Sequence, residues 1–412
     1  MASDTDVKLI SHSETTSLRG CPVCGGIDCE VLHTQKFVLA EGHPLSAGYN
    51  VVVCEKCGLV YADTQVSQKD YDDFYARFSK YEDAKTSTGG GGSPEDARRL
   101  KEMAACIAEA IPDREARLLD FGCAGGGLLR ELRDLGYSRL CGIDPSPACV
   151  QVTRNFCLAE CFVGSLSSLP EGVGQFDGVL LSHVFEHVQE LSEAVQSVDR
   201  LTRPGGTVYV EVPDAARYAE CLLAPFQDFN TEHINHFSAR SLENLFALHG
   251  WVRKGGGSKT LQAAAGMPYP AVFAFFRKSA DKEADDSWEK ETHLRTQIAA
   301  YIRDSREMMR QIDRQIAQVL AESGEVIVWG TGQLAMKLLG ETCLGQAKIA
   351  AFVDGNPINQ GKVLQGSPIL APSGVISSTT PIIVTSIIHK GAIAGLIQER
   401  LGLSNPVIVL GI

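Results

Sequence analysis

Two acidic residues flank a glycine-rich turn near position 120, in a pattern suited to holding an adenosyl group. Asp120 precedes the turn at 121–127, which reads F-G-C-A-G-G-G, and Asp144 ends the next apolar run. An apolar strand, a glycine turn, an amphipathic helix and a second strand ending in Asp predict one βαβ unit, whose last residue can hold ribose hydroxyls. The glycine order is not that of a dinucleotide site, and an acid before the turn favours a cationic ligand over a phosphate. S-adenosylmethionine (SAM) is such a ligand; an ordinary tight turn in another doubly wound sheet is the alternative.

The segment resembles motif I of class I SAM-dependent methyltransferases, D-x-G-C-G-x-G, with Ala124 where glycine is commonest. The resemblance implies an α/β fold with a Rossmann-like core spanning about 110–278. It also implies that the strand ending at 182–187 borders the active cleft, and that Ser165 takes the place of the acid that usually reads the adenine amino group. The cofactor-binding residues predicted on this basis are Asp120, Gly122, Cys123, Gly125, Asp144, Pro145, Ser165, Leu166 and Ser182.

Four cysteines near the N-terminus have the spacing of a metal site. They form two C-x-x-C-G knuckles, Cys21 with Cys24 and Cys54 with Cys57. Four thiolates in tetrahedral arrangement fit zinc and leave no open position for water, so a structural zinc ion is predicted. A pair of redox C-x-x-C motifs is the alternative.

Composition and charge exclude several classes of protein. The chain has 412 residues, which predicts two or three domains. Its formal net charge of −12 argues against nucleic acid or an anionic membrane as the main partner. It has no apolar run of about 18 residues, and its first residues are acidic, so a cytoplasmic location is expected. Thirteen cysteines in so long a chain do not indicate a disulfide framework.

An aromatic-rich stretch follows the cysteine knuckles. Tyr75, Phe78 and Tyr81 recur at helical spacing, which predicts either a helix face packed on the next domain or a lid that contacts substrate. The four glycines at 89–92 then form a linker, a hinge or a close backbone approach. Tyr75, Phe78 and Tyr81 are predicted to bind substrate.

The sequence E-H-x-x-x-F-S at 232–238, taken with the cysteine knuckles and the C-terminal half, resembles the sugar C-methyltransferases that act on nucleotide-linked keto-deoxysugars. The resemblance implies that His233 is the base that removes a proton beside a ketone, with Glu232 orienting it. His183 and His187 would contact sugar oxygens or the enolate, and Asn235 would bind substrate. The expected partner is a nucleotide-linked sugar or a related small anionic metabolite. An O- or N-methyltransferase of another metabolite and a non-catalytic SAM- or nucleotide-binding scaffold are the alternatives, and the oligomeric state is left open.

The last third of the chain reads as a separate unit. Charged residues with apolar positions at helical intervals predict a long helix from about 283 to 322. A second βαβ pattern follows, with G-x-G at 330–332 and Asp354 at a strand end, which alone would suggest NAD. By resemblance this unit helps bind the nucleotide-sugar or supports the cleft, and a vestigial fold is the alternative. The predicted domains are 1–90 (zinc and lid), 91–280 (SAM-dependent methyltransferase) and 281–412 (long helix and Rossmann-like unit).

Overall fold

The computed structural model describes residues 15–16, 18–77, 89–157, 159–278, 288–387 and 389–411. The first elements are β1 (Thr15–Thr16), β2 (Asp28–Lys36), β3 (Gly48–Cys54), β4 (Val60–Asp63) and α1 (Gln68–Arg77). The middle of the chain forms α2 (Pro94–Ala110), β5 (Leu118–Phe121), α3 (Gly127–Asp134), β6 (Leu140–Asp144), α4 (Pro147–Cys157), β7 (Glu160–Val163), β8 (Phe176–Ser182), α5 (Leu191–Leu201), β9 (Thr202–Pro213), β10 (Asn235–His236), α6 (Ala239–Ala247), β11 (Trp251–Ala264) and β12 (Met267–Lys278). The last part forms α7 (Leu294–Ser323), β13 (Glu325–Trp329), α8 (Gln333–Glu341), β14 (Lys348–Val353), β15 (Val363–Leu364), β16 (Ser367–Leu370), β17 (Ile382–Val384), α9 (Lys390–Gly395) and β18 (Val407–Val409).

The central sheet has seven strands in the order β11-β12-β9-β8-β5-β6-β7. Strands β5 to β9 run parallel, whereas β12 is antiparallel to its neighbours β9 and β11. All four residues of β5 are buried, as expected for a central parallel strand covered on both faces. This topology confirms the predicted α/β fold of a class I SAM-dependent methyltransferase, with a Rossmann-like core.

The helix before β5 shows how local sequence fixes a boundary. Ser93 caps α2 because its hydroxyl accepts a hydrogen bond from the backbone N–H of Asp96 at 3.1 Å, and Pro94 occupies the first turn. Its inner face buries Leu100, Met103 and other apolar residues. The cap therefore sets the start of α2 at Pro94.

The N-terminal sheet has the order β1-β2-β3-β4-β10 and is antiparallel throughout. Its edge strand β10 comes from the middle of the chain, where Asn235 pairs with Tyr61 and His236 with Val60. The segment that carries Glu232 and His233 is consequently held against the N-terminal sheet.

The C-terminal part begins with α7, a 30-residue helix that ends at Gly324, whose φ of 71° is left-handed. Its predicted start near 283 falls outside the described residues, but residues 288–293 are described and are not helical, so the helix begins later than predicted, at Leu294. The sheet that follows has the order β15-β16-β14-β13-β17-β18 and is parallel apart from β15. The predicted second βαβ unit corresponds to β13, α8 and β14. None of the described helices has the length and apolar character needed to cross a membrane.

Candidate active site

A cavity of about 1030 Å³ opens at the carboxyl ends of β5, β6 and β8. This is where the strand order reverses, the usual position for a ligand in an open α/β sheet. All nine predicted cofactor-binding residues line it: Asp120, Gly122, Cys123, Gly125, Asp144, Pro145, Ser165, Leu166 and Ser182. At its other end it is lined by Tyr75, His187, Glu232 and His233, and by Gln333 and Ile387 of the C-terminal unit.

The glycine turn leaves no room for side chains. Gly122 has a φ of +76°, and a Cβ there would lie 2.9 Å from a methyl group of Val184. A Cβ at Gly125 would lie 2.9 Å from the Cα of Gly90. The turn therefore needs glycine both for its conformation and for the backbone that packs on it.

That backbone belongs to the four consecutive glycines. The N–H of Gly127 donates to the carbonyl oxygen of Gly89 at 2.9 Å. The carboxylate of Asp96 accepts from the N–H groups of Gly89 and Gly91 at 3.0 and 2.8 Å. Of the interpretations open from the sequence, the structure shows the close backbone approach.

Two buried carboxyl groups give this end of the cavity its charge preference. Burial, followed by the nearby Asp144 carboxylate, raises the pKa of Asp120 to about 7. A cation bound beside Asp120 would favour its ionised form, whereas a phosphate would be repelled. The residues present thus fit SAM, which carries an ammonium and a sulfonium group. The hydroxyl of Ser182, which has no hydrogen-bond partner among the described residues, is buried at the same edge.

The other end of the cavity brings together two histidines, a tyrosine and a glutamate. The Tyr75 hydroxyl lies 2.8 Å from Nδ1 of His187 and donates to Oε2 of Glu232 at 3.2 Å. Nδ1 of His187 is also 3.1 Å from the carbonyl oxygen of Glu232. The rings of His187 and His233 meet edge to face with centroids 4.9 Å apart. Tyr75, on α1, is therefore part of this cluster, while Phe78 and Tyr81 lie outside the described residues.

His183 has a different environment from the one predicted. Its Nδ1 is 3.0 Å from Oε1 of Glu186 and its Nε2 is 3.5 Å from Oε1 of Glu211. Although burial alone would lower it, these carboxylates raise the pKa of His183 to about 9. Both ring nitrogens of His183 face carboxylates, but the side chain also lines the cavity, so its predicted contact with acceptor oxygens stays a prediction.

The structure corrects the role predicted for Asn235. Its amide nitrogen donates to the carbonyl oxygens of Phe185 and Val188 at 2.8 and 2.7 Å, and its oxygen accepts from Arg19 at 3.1 Å. It does not line the cavity. The structure uses Asn235 to satisfy buried carbonyl groups, so the prediction that it binds substrate is wrong.

Sequence reasoning missed several acidic residues that line the cavity or contact its lining, among them Glu211, Asp228 and Asp72. Glu211 is fully buried and accepts from the Tyr209 hydroxyl at 2.6 Å and from Lys259. Asp228 lines the cavity, and burial raises its pKa to about 7. Asp72, on α1, accepts hydrogen bonds from Ser165 and Ser167 at 2.9 and 2.7 Å. An acidic residue inside the otherwise apolar strand at 208–212 could have pointed to Glu211. The local sequence around Asp228 and Asp72 gives no comparable indication.

The four cysteine sulfurs of the knuckles form a compact group. Cys21 and Cys57 have Sγ atoms 3.5 Å apart, as do Cys24 and Cys54. All four sulfurs lie within 4.8 Å of one another. A tetrahedral zinc ion with Zn–S bonds near 2.3 Å would set the sulfurs about 3.8 Å apart, so this spacing is compatible with zinc.

The C-terminal unit contacts the acceptor end through the start of α8. The Gln333 amide donates to the Thr231 hydroxyl at 2.8 Å, and its carbonyl oxygen accepts from the Thr231 N–H at 3.3 Å. Thr231 directly precedes Glu232 and His233. The C-terminal unit is thus joined to the loop that carries the predicted base.

Comparison with known proteins supports the assignment of the central sheet. A family model described as a methyltransferase domain matches residues 95–252. The central unit is a SAM-dependent methyltransferase domain. The predicted enzyme class is confirmed by this match, and the protein is an enzyme that uses SAM as methyl donor.

Relatives of this methyltransferase extend to different lengths. The C-methyltransferase NovU of Streptomyces niveus is 26% identical over 346 residues, covering 78% of this chain and 76% of that protein. A ubiquinone biosynthesis O-methyltransferase of Xanthomonas campestris is 29% identical but covers 42% of this chain. Among solved structures, a SAM-dependent methyltransferase from Methanosarcina mazei covers 42% of this chain and 98% of its own at 20% identity, with a TM-score of 0.37.

Proposed function

We propose that this methyltransferase acts on carbon: it removes a proton beside a ketone in a nucleotide-linked keto-deoxysugar and methylates that carbon. The observation that carries the proposal is the cluster of Tyr75, His187, Glu232 and His233 in the same cavity as the cofactor residues. Carbon as the methylated atom is supported by the similarity to a C-methyltransferase, which extends well beyond the methyltransferase domain.

Methylation of carbon needs a base because a C–H bond beside a ketone must first be broken. His233 lies at the acceptor end of the cavity, and imidazole is the side chain most often used as a general base near neutral pH. In the proposed reaction His233 takes the proton, and the electron pair left on carbon forms the enolate. SAM, when bound, would supply the methyl group and keep the electron pair of the broken S–CH₃ bond, leaving as S-adenosylhomocysteine. His233 holds the proton until it is released to water.

The remaining members of the cluster orient the histidines. The carbonyl oxygen of Glu232 can only accept, so Nδ1 of His187 carries its proton and donates to that oxygen and to the Tyr75 hydroxyl. The Tyr75 hydroxyl in turn donates to the Glu232 carboxylate. This directed chain orients the His187 ring, whose Nε2 lies 3.8 Å from Oε1 of Glu186.

The cavity has room for an acceptor beside the cofactor. Its volume of about 1030 Å³ lies at the top of the range of about 300–1,000 Å³ for single-ligand sites. Because it continues past His233 to Gln333 and Ile387, an acceptor larger than a single sugar ring fits the proposal.

The position of the transferred methyl group tests the proposal. The enzyme would be incubated with methyl-¹³C-labelled SAM and a panel of nucleotide-linked keto-deoxysugars, and the product analysed by NMR. A methyl group bonded to carbon is expected, with enzyme-dependent exchange of the α-proton in D₂O. A label on oxygen or nitrogen would replace the proposal with an O- or N-methyltransferase.

His233→Ala tests the identity of the base. Loss of general-base catalysis is expected to lower turnover by about a hundredfold or more, and to abolish α-proton exchange, without weakening binding of S-adenosylhomocysteine (SAH). His293→Ala is the matched control because His293 is exposed at the start of α7, away from the cavity. Turnover close to that of the unmodified enzyme would remove His233 from the mechanism.

We also propose that Cys21, Cys24, Cys54 and Cys57 hold a structural zinc ion. The compact spacing of their sulfurs supports this, and four protein ligands would keep the ion away from the chemistry. One zinc per chain is expected by elemental analysis of the purified protein. Cys54→Ser should lose that zinc and lower the unfolding temperature, whereas Cys106→Ser, at a cysteine outside the group, should retain it. A zinc-free protein of unchanged stability would contradict the proposal.

A further inference from the structure

Helix α1, from the N-terminal part of the chain, lies along one wall of the cofactor cavity. Its Asp72 accepts from the Ser165 hydroxyl at 2.9 Å and from the Ser167 hydroxyl at 2.7 Å, both through Oδ2. Oδ1 accepts from the Gln68 amide at 2.9 Å, and the Gln68 oxygen accepts from the N–H of Gln189 at 2.7 Å. Two polar side chains thus fix this helix on the central domain.

The Asp72 contact lies where the base of a bound adenosyl group would be. Asp144 ends β6 at the predicted ribose position, and β7 is the next strand outward in the sheet. The N–H of Gly164, just after β7, donates to the carbonyl oxygen of Asp144 at 3.1 Å. A base attached to a ribose held by Asp144 would therefore extend toward residues 164–166.

The cavity wall at this place suits a purine. Val152 and Phe156 of α4 line it together with Leu166, which gives apolar surface for the faces of a planar ring. Ser165 and Asp72 supply the polar groups at the edge. A flat apolar slot with a polar rim on one side is what an adenine ring requires.

The edge of adenine presents an amino group, which is a hydrogen-bond donor and needs an acceptor. The Ser165 hydroxyl donates its hydrogen to Asp72, and the Ser165 N–H donates to the Ser168 carbonyl oxygen at 3.1 Å. A carboxylate has about four acceptor positions, and three hydrogen bonds from side chains to Asp72 are described. The carboxylate therefore retains capacity for one more donor.

We propose that Asp72 binds the cofactor by accepting a hydrogen bond from the 6-amino group of its adenine ring. Residue 165 is a serine and has no carboxylate to offer the adenine ring. The carboxylate would instead come from Asp72, 93 residues earlier in the chain. Helix α1 becomes part of the cofactor site, and the proposal is independent of the identity of the acceptor.

The same helix links the two ends of the cavity. Tyr75 follows Asp72 by three residues, so both side chains lie on one face of α1. Tyr75 contacts His187 and Glu232 at the acceptor end. By reciprocity, a cofactor that favours the docked helix also favours the placement of Tyr75.

Calorimetric titration tests this assignment without an acceptor. SAH and its 6-oxo analogue, S-inosylhomocysteine, would each be titrated into the full-length protein and into Asp72→Ala, Asp72→Asn and Asp73→Asn. Asp73→Asn is the matched control, since it removes the same charge one residue away, where Asp73 pairs with the exposed Lys69.

Asp72→Ala is expected to weaken SAH binding by about tenfold to a hundredfold, the usual effect of removing a hydrogen bond to a charged group. Binding of the 6-oxo analogue, already weak, should change little. Asp72→Asn should narrow or reverse the preference for SAH, because an amide can donate to a 6-oxo group. Equal losses for both ligands, or no loss for SAH, would overturn the assignment. Either result leaves the proposal of carbon methylation untouched, as that is decided by the labelled product.

Discussion

The chain contains two βαβ units with glycine turns, and their strand-end aspartates are used differently. In the central unit, Asp144 accepts from the N–H of Ala124 at 2.9 Å. In the C-terminal unit, Asp354 accepts from the N–H of Thr331 at 3.1 Å, so the backbone arrangement is the same. The Thr331 hydroxyl and the Asn359 amide, however, also donate to that oxygen of Asp354. Asp144 lines the large cavity, whereas Asp354 does not.

The difference shows that a βαβ motif predicts backbone geometry and leaves ligand binding to the neighbouring side chains. In the C-terminal unit, the hydrogen bonds that a ribose would make are made by the chain itself. Gln333 and Ile387 line the cavity from this unit, and Gln333, at the first turn of α8, contacts Thr231. We therefore expect the second unit to support the loop beside the predicted base through this contact.

Replacing each of the two strand-end aspartates in turn tests this difference between the units, with the largest effect expected. Asp144→Ala is expected to weaken SAH binding by about a hundredfold or more, because two hydrogen bonds to a charged group would be lost. Asp354→Ala should leave SAH affinity unchanged and lower only the stability of the C-terminal unit. Titration calorimetry measures both. An equal loss of SAH affinity in the two variants would contradict the proposed difference between Asp144 and Asp354.

A second prediction concerns the buried charge of the central unit. The pKa of His183 is raised to about 9 by Glu186 and Glu211, and Lys259 pairs with Glu211 from the other side. Because the folded state binds this proton more tightly than the unfolded state, the stabilisation is complete below about pH 6.5 and is lost as the pH rises through 9. Its upper limit is about 3 kcal/mol in the free energy of unfolding.

Denaturant unfolding at a series of pH values checks this prediction. His183→Asn should flatten the decrease in unfolding free energy between pH 6.5 and 9, while His293→Asn should not. Asparagine is the suitable replacement because the φ of His183 is +56°, a left-handed conformation that asparagine tolerates. A decrease of the same size in His183→Asn would assign the pH dependence to other groups.

The sequence predicts those parts of the site that are formed by residues close together in the chain. The glycine turn and Asp144 lie within 25 residues of each other, so their geometry follows from one βαβ unit. The cysteine knuckles are similar, since each pair is held by its own short turn. Local motifs of this kind specify their own backbone, which makes their placement readable in advance.

The contacts that were missed join distant segments. Asp72 and Ser165 are 93 residues apart, and Gln333 and Thr231 are 102 residues apart. The Asn235 error has the same origin: its amide pairs with the carbonyl oxygens of Phe185 and Val188, whose need for donors arises only once the domains pack. Side-chain pairing across domains is set by packing and has no local signature.

The smallest expected effect tests the contribution of the C-terminal unit itself. Gln333→Ala removes both hydrogen bonds to Thr231, which is expected to loosen the Glu232 and His233 loop and lower kcat by about tenfold. SAH affinity should stay the same, because Gln333 lies at the acceptor end. Gln318→Ala, at an exposed position of α7, serves as the matched control.

A double-mutant cycle with Thr231→Ala separates this positioning role from general damage to the fold. If Gln333 acts through Thr231, the double variant should lose no more activity than Gln333→Ala alone, since residues in direct contact are not additive. Steady-state kinetics with the acceptor identified by the labelling experiment measures the cycle. If the losses of kcat in the two single variants simply multiply in the double variant, Gln333 acts on turnover by another route. The C-terminal unit would then not support the loop through the contact between Gln333 and Thr231.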